Sequence, residues 1–324
     1  MTVRSFSDEQ LRVLINIQQQ YEVWIEAERA LAALPYNLVR KEVNGYSYLY
    51  EVLDRTNNAR SLGPWSDEQA AKLSSYRNEK TEWQVRRDAS KAELDETCRL
   101  YRALRLPLLA SPAGAILREA DRRTLLGSKL IVVGTNAMPA YQVEAGGFIL
   151  GIPDETQDCD LAWTATEAVE GQPIWEMLKA VDRTFTINSE RTFQARNARA
   201  YEVEILAAPS RIKTIFRTDR PMPIPLPEQE WLLAGQFVDH VVACRDGEPA
   251  RIVAPDPRWF ALQKLWMAEQ AKRTPLKRPK DLSQGTLLLD AIRDRMPQYP
   301  LDANFEHSLP GDLSSLYDDW KHTK

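Results

Sequence analysis

The chain has 324 residues, 44% hydrophobic and 27% charged, with Lys plus Arg at 42 and Asp plus Glu at 46. This is the make-up of a soluble globular protein long enough for two or three packed units, and it excludes a disordered, collagen-like or membrane-embedded chain. A net charge of −4 excludes a whole-molecule basic field for nucleic acid but leaves room for a local basic groove.

Cys98, Cys159 and Cys244 stand far apart with no CxxC pairing. A structural zinc site or disulfide framework is therefore not expected, and a reducing cytoplasm is. No apolar run approaches the roughly 20 residues that span a bilayer. The opening MTVRSFSDEQLRVL turns polar before a signal-peptide core could form.

The first 125 residues read mainly as helix. Ser7 and Asp8 can cap a helix in which Leu11, Leu14, Ile17, Tyr21, Trp24, Leu31 and Leu34 recur at helical spacing, with Pro35 as its stop. Tyr46 to Leu53 alternates like one strand of a small hairpin that ends near Ser61 and Leu62. Gly63-Pro64 breaks the chain, and Ser66 with Gln69 forms a capping-box signature for a long, doubly charged helix to about Leu106. A shorter helix is expected from Ala113 to Leu126, ending at Gly127.

The texture changes at Lys129. Leu130 to Val133 reads as a strand ending in Gly134, followed by a helical stretch, then Phe148 to Leu150 and a strand from Asp158 to Trp163. A helix over Pro173 to Val181 and a strand over Tyr201 to Ala207 follow. This order predicts a mixed α/β core with one helix layer. The four prolines of DRPMPIPLP, residues 219–227, predict an extended strap outside any sheet interior. Strand-like residues flank Asp246-Gly247, a hairpin signal, and the chain is helical again from Arg258.

Asp158 and Asp160 lie two apart, so in a strand they share a face with Cα atoms roughly 6.6 Å apart. Such a pair repels unless a proton or cation intervenes, and a hard ion such as Mg²⁺ suits it. The same spacing also describes acids exposed on a strand edge. In Tyr201-Glu-Val-Glu-Ile-Leu206, Glu202 and Glu204 share one face while Val203 and Ile205 share the other. If the two strands are neighbours, their carboxylates converge in a two-metal arrangement suited to phosphoryl or nucleotidyl transfer. If they are not, the second is an amphipathic surface strand.

Val132-Val133-Gly134-Thr135-Asn136 ends a strand in a glycine, a hydroxyl and an amide at a helix start, which can offer N–H groups to an anion. It is equally an ordinary turn with Asn136 as cap. No Walker A or G-x-G-x-x-G pattern is present. His240, His307 and His322 are scattered without metal-ligand spacing.

In this order the motifs resemble the nucleotidyltransferase fold shared with DNA polymerase β. The pieces YLYEV, SLGPWSDE, VVGTNAMPAYQVEAGG, TQDCDLAW, VEILAAP, FALQKLWMAEQ and KDLSQGTLLLD are most similar to a poorly characterised bacterial branch of that superfamily, related to abortive-infection and toxin-type nucleotidyltransferases. The likeness runs from about Tyr46 to about Asp290. It implies an α+β protein in three parts: a mainly helical region at 1–127, a palm at 128–255 and a helical cap at 256–324.

The resemblance also implies roles. Gly134 and Thr135, with Asn136, would form the phosphate-contacting turn. Asp158 and Asp160 would hold two Mg²⁺ ions, with Mn²⁺ as a possible substitute, and Glu204 would be the third acid. Lys264 on one helix, and Lys280 with Asp281 on the next, would flank the nucleotide. Gly-Thr replaces the usual Gly-Ser or Gly-Gly, and Glu204 stands where Asp is commoner, a longer arm that can cost rate. The implied enzyme is a cytoplasmic, metal-dependent nucleotidyltransferase that takes a nucleoside triphosphate such as ATP. Its acceptor could be a tRNA end, a protein or a small molecule. The alternative is a catalytically weak or inactive nucleotide-binding or partner-binding protein of a bacterial defence or toxin–antitoxin module.

Overall fold

The computed structural model describes residues 2–154 and 156–323. In chain order the elements are β1 (Val3–Ser5), α1 (Asp8–Ala33), β2 (Asn37–Val43), β3 (Tyr46–Val52), β4 (Ala59–Pro64), α2 (Asp67–Ala103) and α3 (Ser111–Arg122). There follow β5 (Leu130–Val133), α4 (Met138–Glu144), β6 (Gly147–Ile149), β7 (Asp158–Trp163), α5 (Pro173–Val181), β8 (Thr186–Ile187), β9 (Gln194–Arg196), β10 (Glu202–Ala207) and β11 (Ile224–Pro225). The rest is β12 (Val238–Ala243), β13 (Pro249–Ala254), α6 (Pro257–Glu269), α7 (Arg278–Arg295), α8 (Ala303–Ser308) and α9 (Gly311–His322). The protein is α+β, as the motif order implied. Among the described residues no helix is long and apolar enough to cross a membrane.

The chain forms two compact units, Gln19–Glu96 and the remainder, Met1–Gln18 with Thr97–Lys324. In the smaller, β2, β3 and β4 make an antiparallel sheet over a core of Leu38, Leu49, Leu73 and Tyr76. The hairpin anticipated at Tyr46 thus has a further strand ahead of it. Its turn is Asn44-Gly45, both at positive φ, the dipeptide that closes two-residue hairpins.

In the larger unit the start of α1 carries a reciprocal capping box: Ser7 Oγ accepts from Gln10 N at 3.3 Å and Gln10 Oε1 from Ser7 N at 2.9 Å. The central sheet runs β5-β7-β10-β9-β8, with β11 added beside β10. β7, β10 and β11 are parallel, while the β5, β9 and β8 pairings are antiparallel. The proline strap touches this sheet through Ile224–Pro225 alone, opposite Leu206–Ala207, outside the sheet interior as its prolines require.

Period-two alternation decides what each central strand shows. Cys159, Leu161, Val203 and Ile205 are fully buried, whereas Asp158, Asp160, Glu202 and Glu204 are half-buried on the other face. α6 and α7 pack closely because of Gly285, where an added Cβ would stand 2.7 Å from the Ala261 carbonyl oxygen. His240 is structural: its Nε2 meets Glu144.

Candidate active site

β7 and β10 are neighbouring parallel strands in a register that sets Asp158 beside Glu202 and Asp160 beside Glu204. Neighbouring strands lie about 4.8 Å apart, so four carboxylates form a block two wide and two deep. They line one cavity of about 610 Å³. Across β7, Val133 stands opposite Asp160, which brings the following turn to the same place, and Gly134 and Thr135 join the lining.

Gly134 has φ +74°, and a Cβ added there would sit 2.5 Å from Asp160 Oδ2. Glycine is required twice over, for its backbone angle and for the space the carboxylate occupies. Gly134→Ala is expected to destabilise the fold by about 1–3 kcal/mol in thermal denaturation. Displacing Asp160 by an ångström is expected to slow any transfer by about 10²-fold in initial-rate assays.

Asn136 is not in the lining. Its Nδ2 donates to the Asp158 backbone oxygen at 2.7 Å, and the Tyr201 hydroxyl donates to the same oxygen at 3.3 Å. The residue ties the turn to the start of β7, which replaces the phosphate contact expected for its side chain. Thr135 faces the cavity, and its Oγ1 accepts from Gln284 Nε2 at 3.3 Å.

The opposite wall comes from α6, α7 and the segment between them. Lys264, Arg273, Lys277, Lys280 and Asp281 all line the cavity. Asp281 is 1% exposed and Lys264 4%; Lys264 Nζ donates to Asp281 Oδ1 at 3.1 Å and Arg273 Nε to Oδ2 at 2.6 Å. Lys277 Nζ reaches Asp158 Oδ2 at 3.4 Å. Burial and the charge of Lys264 hold the Lys280 ammonium below its ordinary pKa. Arg273 and Lys277 rank low in the sequence, where they are two among several basic residues, because nothing local says which of them turns inward.

The electrostatics distinguish the acids. Burial, then the charges of Asp158 and Glu204, push Asp160 up to about 7. Burial also raises Asp158, but hydrogen bonding from Thr156 and the nearby Lys277 outweigh it and leave that carboxyl below its usual range. Gln194 is 1% exposed and bridges the other two acids: its Nε2 donates to Glu204 Oε1 at 2.8 Å and Glu202 Oε2 at 3.1 Å. Asn188 Nδ2 donates to Gln194 Oε1 at 2.6 Å and so sets the orientation of that amide. No sequence pattern marks Gln194, which becomes visible only through its place opposite Glu204 on β9.

Among the described residues, no group of three or more His, Cys, Asp or Glu side chains stands close enough to hold a metal ion as placed. Like charges repel, and each acid has turned to the nearest donor: Asp158 to Thr156 and Lys277, Glu204 to Gln194. The donor set still fits a hard divalent cation. It is all oxygen, it shares one face, and its innermost member has its charged form disfavoured by the acids beside it.

Residues 111–309 match a family model described as nucleotidyltransferase. No curated protein and no solved structure matches the chain.

Proposed function

The chain belongs to that nucleotidyltransferase family, and from this premise we propose that it moves a nucleoside monophosphate from a nucleoside triphosphate to an acceptor hydroxyl. The observation that carries the reading is the facing of two opposite walls across one cavity: the block of Asp158, Asp160, Glu202 and Glu204 against the basic wall of Lys264, Arg273, Lys277 and Lys280. A polyanionic tail is drawn to the second wall, and a reaction centre sits at the first. We assign the palm to 128–255, the cap to 256–324 and the preceding helical region to 1–127, in the polymerase β-like manner and with the bacterial branch as the nearest kin.

Asp158, Asp160 and Glu204 would hold two Mg²⁺ ions, or Mn²⁺ in their place, which would supply Lewis acidity to the acceptor oxygen and to the phosphates. The chain's own groups do the rest. The turn at Gly134 and Thr135 and the ammonium groups of Lys264 and Lys280 orient the triphosphate so that the α-phosphorus faces the carboxylate block. The acceptor oxygen forms a bond to that phosphorus as the bridging bond to the β-phosphate breaks, and pyrophosphate leaves along the basic wall, where Lys277 and Arg273 offset its charge. The hydroxyl proton passes to the carboxylates on the acceptor side, Glu204 beside Asp160. Gln194 holds Glu204 in place, which compensates for the longer arm of a glutamate at this position.

The test is transfer of α-label. Each of the four α-labelled nucleoside triphosphates is offered with Mg²⁺ to total tRNA, to cell protein and to pooled small hydroxyl compounds. The expected result is one labelled acceptor class and stoichiometric pyrophosphate, both lost when EDTA is added. Nucleotide binding without pyrophosphate release would instead favour the binding-only reading, for which the contact of Lys277 with Asp158 is the supporting observation.

A further inference from the structure

The cavity has a third region that neither the acids nor the cations use. Beyond Glu204 the same face of β10 continues to Leu206, beside Ile224 of β11, and Leu226 and Met267 complete an apolar lining. Two carboxamides enter it. Gln229 is 4% exposed and Gln263 3%, and both line the cavity. Gln229 Oε1 has no hydrogen-bond partner, and the Gln263 side chain makes no hydrogen bond among the described residues. Buried amides are almost always paired, so two unpaired amides in one cavity call for a ligand that pairs with them.

We propose that Gln229 and Gln263 read the edge of the nucleobase of the incoming triphosphate, and that they select an amino-substituted base, adenine first. This rests on the nucleotidyltransferase reading and names the substrate it left open. A base is a flat apolar ring with a polar rim, which matches apolar walls carrying amides at the edge. Gln263 is adjacent to Lys264 on α6, so the ring would be tethered through its ribose to phosphates on the basic wall. A carboxamide offers a donor next to an acceptor, the complement of an exocyclic amine beside a ring nitrogen. The atom of Gln229 that lacks a partner is an acceptor, so it requires an N–H. Uracil would turn a carbonyl oxygen toward it, and a site built for one hydrogen-bonding pattern rejects ligands that leave it unpaired.

The experiment is calorimetric titration of the full-length protein with ATP, CTP, GTP, UTP and inorganic tripolyphosphate, each with Mg²⁺. It is repeated on Gln263→Leu and on Gln229→Leu/Gln263→Leu, with thermal denaturation as the folding control. Leucine removes an unpaired buried amide, so both variants are expected to be at least as stable as the wild type. ATP is expected to bind the wild type at least tenfold more tightly than UTP. The double variant is expected to lose that margin through weaker ATP binding, with tripolyphosphate unchanged. Equal binding of all four nucleotides to the wild type, or a uniform loss that includes tripolyphosphate, overturns base reading while the transferase reading stands. If neither nucleotides nor tripolyphosphate bind, both fall.

Discussion

Asp160→Asn is expected to reduce nucleotidyl transfer by about 10³-fold or more while the protein folds normally, and to alter its response to pH. Asn has the same size and removes only the charge. Asp160 is the acid that everything else converges on: Val133 and the Gly134 turn lie across β7 from it, Glu204 lies beside it on β10, and Asp158 shares its face. Those neighbours and burial raise its carboxyl to about 7, whereas in the unfolded chain it titrates near the ordinary value of about 3.9. Between roughly pH 4 and 7 the folded protein therefore keeps a proton that the unfolded chain has released.

Stability of the metal-free protein is accordingly expected to fall as pH rises through that window and to level off above it. The size is on the order of 2 kcal/mol, given that the group faces a water-filled cavity. In urea denaturation with EDTA the wild type should show this slope and Asp160→Asn should not. Adding Mg²⁺ at pH 8 should reverse the pattern, stabilising the wild type by roughly 2.7 kcal/mol at 100 times the dissociation constant and the variant far less. A variant that retains both transfer and the Mg²⁺ response would remove Asp160 from the centre of the site.

The second large effect concerns the cap. Asp281→Asn is expected to lower stability by about 3–5 kcal/mol, because it leaves Lys264 and Arg273 without the carboxylate that both now share in a nearly dry position. Inorganic tripolyphosphate should stabilise this variant more than the wild type, since it supplies an anion to two unpaired cations. Lys264→Met/Asp281→Leu removes the opposed charges together and is expected to recover most of the loss, yet still to lack transfer for want of Lys264. A loss below about 1 kcal/mol in Asp281→Asn would mean that water screens the pair.

Both predictions rest on features the chain discloses unequally. The acids of β7 and β10 are visible beforehand because period-two alternation is a local property, and Val203 and Ile205 opposite Glu202 and Glu204 mark which face is dry. That the two strands are neighbours, and in step, is a long-range fact. It depends on loops of irregular length between residues 164 and 201, and no window of residues contains it. The long helices were legible from caps and spacing: Ser66 Oγ accepts from Gln69 N at 3.3 Å as expected, although Gln69 turns its own amide to Leu62 O. β1, β8 and β9 were missed because each has only two or three residues, too few to show a period. β2 was missed although Asn44-Gly45 announced it. Gln194, Gln229 and Gln263 carry no signal at all, since an uncharged amide means something only once its surroundings are known.

The in-step pairing of β7 with β10 also bears on how this protein tolerates change over time. Because inward and outward residues alternate, deleting or inserting one residue in either strand would turn the carboxylates into the core and the core residues into the cavity. The molecule has no folded form with that error, as burying such charges is prohibitive. Frame-preserving length changes here should therefore be seen as protein lost to aggregation or degradation, and not as an intact but idle enzyme. The architecture lets cellular quality control inspect the geometry of the reaction centre without ever testing the reaction.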